Sequence, residues 1–179
     1  MLRPAKKIPD WYLADWTPSS QSFALPAMSW TDCEQAIDRL GPTPAMKQAA
    51  RLRLQALRQS SAGMAPMETL QAIVMIAAAL GDPRQAAVRS PAPASAPMTP
   101  VALPRWGFTD VEVAISYTFT EVPRAIALLR YDQLLACYGE RRSGEEIMRT
   151  IFLTVLGLPV RHARTPTEAV AQPQTAKAA

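Results

Sequence analysis

The side chains able to do chemistry are few and scattered. The chain has one histidine, His162, and two cysteines, Cys33 and Cys137. A Ser–His or Cys–His nucleophile needs its imidazole held by a third group in a rigid site. His162 stands instead between Arg161 and Arg164 beside small polar residues, the composition of a solvated tail. Neither cysteine has a CxxC neighbour, so reduced, partly buried thiols are expected, and the counts exclude a disulfide scaffold and most zinc, haem and His-dependent sites. Carboxylates come in pairs, Asp32/Glu34, Asp110/Glu112 and Glu145/Glu146, as general acid–base chemistry would require. Two of the pairs fall at helix starts, where acids favour the positive end of the dipole. The third decorates the wet face of an expected strand. No two glycines have the spacing of a phosphate-binding loop following a strand. The residues thus nominate no catalytic group, no metal site and no cofactor, and a non-enzymatic protein is expected.

Two clusters could carry binding. Trp11, Tyr12 and Trp16, with Leu13, lie in an otherwise irregular N-terminal segment. They either fold onto the chain's own core or act as aromatic anchors for a partner, since Trp and Tyr dominate interface hot spots. Lys47, Arg51 and Arg58 form a stripe on one helix, with Arg53 extending the charge around its flank. Such a face either lies in solvent, its Arg stems covering apolar neighbours, or binds phosphate or an acidic partner.

The elements that must position these residues follow from punctuation and period. The 179 residues are 49% hydrophobic and 19% charged, which suits one domain or two very small ones. The net charge of +4 permits nucleic-acid contact without requiring it. Pro9, Asp10 and Asp15 interrupt the stretch where a signal peptide would be apolar. The apolar runs Ala72–Leu80 and Ile151–Val160 fall short of the roughly 20 residues of a membrane span. A soluble, cytoplasmic protein without a membrane partner is expected.

Gly41, Gly81, Gly139 and Gly157 each follow an apolar periodic run, where a left-handed residue ends a helix. Thr31 with Glu34 forms a capping box for a helix to Leu40, Thr43–Pro44 opens a second to about Gln59, and Pro66 a third to Leu80. Residues 1–88 therefore read as a small helical bundle with an aromatic arm. Residues 89–104 hold five prolines among Ala, Ser and Thr, an extended spacer. Residues 161–179 read as a disordered tail.

Residues 105–160 read as a strand followed by two helices. Val111, Val113, Ile115, Tyr117 and Phe119 alternate with smaller or polar residues, a period of two in β-favouring types. The same stretch admits a helix capped by Thr109 and Glu112, with Val111, Ile115 and Phe119 at i, i+4 spacing; the strand is the reading adopted. Pro123 opens a helix to Tyr138, and Ser143 with Glu146 caps another over 144–156. The fold expected is mainly α, two small units joined by a Pro/Ala-rich linker.

Apolar residues spread almost round the Pro123–Tyr138 helix, so it must be covered, by the N-terminal bundle or by a second copy of the chain. An unpaired strand makes the same demand, and a homodimer through this unit meets both. Strand, helix, helix with a two-fold partner resembles the ribbon-helix-helix DNA-binding fold over roughly 114–156, with Gly139, Ser143, Glu146, Ile147 and Arg149 as its local match. The resemblance implies a dimeric regulator contacting DNA through Ser116, Thr118 and Arg149. The residues themselves, without that resemblance, favour an adaptor or assembly factor acting through protein partners.

Overall fold

The computed structural model describes residues 6–14, 16, 24–86, 101–138 and 142–157, and 74% of the described residues are helical with none in a strand. The helices are α1 Asp10–Ala14, α2 Trp30–Leu40, α3 Pro44–Ser60, α4 Pro66–Leu80, α5 Phe108–Thr118, α6 Glu121–Tyr138 and α7 Gly144–Val155. No described helix is long and apolar enough to cross a membrane. Residues 89–100, Gly139, the tail from 158 with His162, and the Cys137 side chain lie outside the described residues.

Local signals set most helix starts. Thr43 accepts the Met46 amide with Pro44 in the first position of α3. Ser143 and Glu146 close a reciprocal capping box on α7. The box on α2 is Ser29 with Asp32, not Thr31 with Glu34. Ser29 takes the extended cap conformation, so the helix begins at Trp30, whose buried indole Nε1 donates to Val101 O at 2.8 Å. Of the expected left-handed stops, Gly157 has φ +78°. Gly41 and Gly81 have φ −65° and −88°, so they end their helices without that conformation.

The main correction concerns residues 110–120, of which 110–118 lie in helix α5 rather than in a strand. Asp110 in the first turn accepts the Gly107 amide at 2.6 Å, and the Val111 amide donates to Gly107 O. Val111, Ala114 and Ile115 then fall on one buried face against α4. Tertiary packing of that i, i+3, i+4 face overrides the β preference of the individual residues. The ribbon of the ribbon-helix-helix arrangement is therefore missing, and with it the demand for a ladder partner.

α4 is the centre of the packing. Eleven of its 15 residues are buried, and it touches α3, α5 and α7. α2 lies across α7 and α3, and α6 lies against α7 and α5. One core joins side chains from both halves of the sequence, among them Ile37, Leu54, Leu70, Ile73, Ile115, Tyr131, Ile151 and Phe152. α7 is covered by α2, α6 and α4. α6 begins at Glu121, whose φ of 51° makes the corner after α5. Its buried side carries Pro123, Ala127 and Tyr131. Val122 and Leu129 are 62% and 58% exposed, so α6 is not buried all round as its composition suggests.

Candidate functional site

The aromatic arm is bound to the chain's own α5. Its first end is held by backbone: the Lys6 amide donates to Tyr117 O at 3.0 Å, Gln71 Nε2 donates to Lys6 O at 3.0 Å, and Ile8 is buried. The Lys6 ammonium lies 5.7 Å from the Tyr117 ring centroid, a weak cation–π contact. The second end is held by one carboxylate. Asp110 Oδ1 accepts from Tyr12 Oη and Trp16 Nε1, both at 3.0 Å, while Oδ2 caps Gly107.

Asp110 is 1% exposed, and a buried carboxylate is tolerated when donors replace its water. Burial first, then the hydrogen bond and charge of Asp110, push the Tyr12 phenol up to about 12. Between the two anchored ends Trp11 stands 72% exposed, edge-on to Tyr12 with centroids 5.9 Å apart. Beside it Lys7 and Asp10 form a 2.8 Å ion pair, both side chains largely in solvent.

Of the three predicted anchors, then, Tyr12 and Trp16 are turned inward and Trp11 outward. Sequence reasoning passed over Asp110 as an anchor point. The available signal was an acid three residues after Gly107, in capping-box register, in a chain carrying two aromatic donors four residues apart.

The basic stripe of α3 meets the acids of α2. Arg51 pairs with Asp38, and Arg58 Nη1 lies 3.7 Å from Glu34 Oε1. The Lys47 stem lies close against Gly41. Arg53 turns the other way, its Nη2 donating to Gln85 O and Oε1 at 3.0 and 2.9 Å, at one side of a shallow apolar trough of about 230 Å³ lined by Leu57, Ala72, Met75, Ile76 and Ala79. Burial lowers the Arg53 pKa, opposed by the charge of Asp82.

The acid pairs are dispersed in the same way. Glu145 bridges Arg39 at 2.9 Å, joining α7 to α2, Asp32 and Glu146 are caps, and Asp110 holds the arm. Glu112 is raised by burial and by the charge of Asp132. No group of three or more His, Cys, Asp or Glu that could hold a metal ion occurs among the described residues.

The three residues of the nucleic-acid reading do not share a ribbon. Ser116 and Thr118 are half-buried on α5, where Thr118 Oγ1 donates to Ala114 O at 2.7 Å. Arg149 is half-buried on α7.

No family model matches the chain, and no curated protein and no solved structure matches it either.

Proposed function

We propose that this protein is a non-enzymatic adaptor or assembly factor of the cytoplasm, contacting a protein partner through its N-terminal aromatic arm. The observation that carries the reading is the arrangement around Trp11. An indole 72% exposed is flanked by Tyr12 and Trp16, both bonded to Asp110. Large aromatic side chains are the commonest hot spots of protein interfaces, and an exposed Trp on a fixed support suits a partner with an indole-sized apolar pocket. The test is capture from the native host by the full chain and by Trp11→Ala, repeated after nuclease treatment. A nuclease-resistant partner held by the parent chain and lost by Trp11→Ala supports the reading. Equal capture by both contradicts it.

A second reading, compatible with the first, is homodimerisation through the outer face of α6. Val122 and Leu129 lie two turns apart on that face and are both mostly exposed. Because Leu129 is exposed, Leu129→Lys separates association from folding. Sedimentation of the parent as a dimer and of Leu129→Lys as a folded monomer supports this reading; a parent that sediments as a monomer removes it.

A further inference from the structure

α1 is five residues long. Helix nucleation is unfavourable, and helices this short do not persist in water by themselves. The bonds from the Tyr12 and Leu13 amides to Pro9 O, at 3.0 and 3.3 Å, therefore need an outside support. Lys6 and Ile8 anchor only the residues before α1. Tyr12, Leu13 and Trp16 pack against the core, and Asp110 adds a polar support, taking a phenol and an indole four residues apart on one oxygen. The phenol on the turn and the indole beyond it converge on a single acceptor, which restrains the position of the turn and its rotation about its own axis. That rotation decides where Trp11, the residue before Tyr12, points.

We infer that Asp110 is a positioning residue for the Trp11 surface, acting through Tyr12 and Trp16 to hold residues 9–14 in the geometry that a partner meets. The clasp is independent of what Trp11 binds; its use rests on the adaptor reading. An anchor held in place before binding avoids the loss of freedom that a loose one suffers, so opening the clasp should weaken Trp11-dependent binding about tenfold or more. The same carboxylate also caps α5 through Gly107, and a test must separate these two duties.

The double variant Tyr12→Phe/Trp16→Phe does so. It removes both donors, keeps aromatic rings at both positions and leaves Asp110 with Gly107. Hydrogen exchange on the full chain, followed amide by amide, is the readout. The amides of residues 12 and 13 should exchange at least tenfold faster than in the parent. The α5 amides of Val111 and the adjoining Phe119, bonded to Gly107 O and Ile115 O, should be unchanged. Unchanged rates at 12 and 13 overturn the inference, since the packing of Tyr12, Leu13 and Trp16 on the core would then hold the turn without the clasp. Equal acceleration at 12, 13, 111 and 119 overturns it too, because the two donors would then be supports of the whole fold. The measurement uses the free protein, so its failure is distinct from a failure of Trp11→Ala to change capture.

Discussion

The Tyr12 hydroxyl lies 3.0 Å from the Asp110 carboxylate across 98 residues of sequence. With the Trp16 indole on the same oxygen, this contact ties the start of the chain to the first turn of α5. The two sides of the contact are unequal. Tyr12→Phe removes one donor and should cost about 1–2 kcal/mol, whereas Asp110→Ala leaves three donors without their acceptor and should cost about 3 kcal/mol or more. Urea unfolding of the two variants measures the difference, and equal losses would mean that the carboxylate has no role beyond Tyr12.

The same contact sets a pH dependence at the alkaline end. The ordinary phenol titrates near pH 10, while Tyr12 in the folded chain is pushed up to about 12 by burial and by Asp110. A folded-state pKa above the unfolded one means that the stabilisation is complete below about pH 10 and is lost as pH rises through about 12. Tyrosinate absorbance should show a late-titrating component that Tyr12→Phe removes. Its presence unchanged in the variant would assign it elsewhere, for instance to Tyr131, which burial also raises.

Cys33 is fully buried on α2, and burial, with the charges of Asp32 and Glu34, pushes its thiol far up. Thiolate is the reactive form, so in a Cys137→Ser background the folded protein should resist a thiol reagent at pH 8. Labelling should become complete on denaturation. Rapid labelling of the native chain would contradict this burial.

Gly144 starts α7 where α2 and the segment before it pass closely. A Cβ there would meet Ala27 O, and Asp32 Oδ2 at 2.8 Å, the carboxylate that caps α2. Backbone cannot yield as a flexible side chain can, so Gly144→Ala should destabilise by about 1–3 kcal/mol. Thermal unfolding checks it, with Gly63→Ala, which meets nothing within 4 Å, as the control.

Much of this fold is visible in its punctuation and little of it in its contacts. Thr43–Pro44, Pro66 and Ser143/Glu146 mark helix starts because capping is local chemistry, decided by residues three apart. Residues 110–120 misled because Val, Ile, Tyr and Thr favour strands individually, while the face formed by Val111, Ala114 and Ile115 is stabilised only when α4 is beside it. The acidic partners Asp38 and Glu34 of the α3 arginines were legible as residues but not as neighbours, since nothing local says which face of α2 meets α3. Tyr12 and Trp16 stand out in the sequence as residues that fold onto the core or anchor a partner; that both bond to Asp110 depends on a long-range contact.

The most direct test of the account is the affinity of a captured partner for the parent chain and for Trp11→Ala, measured with purified components. Truncation of an interface hot spot costs about 2 kcal/mol or more, so the variant should bind about thirtyfold more weakly at unchanged stability, with no dependence on nucleic acid. Affinities within twofold of each other, or binding that disappears on nuclease treatment, would contradict the claim that Trp11 is the anchor of a protein interface.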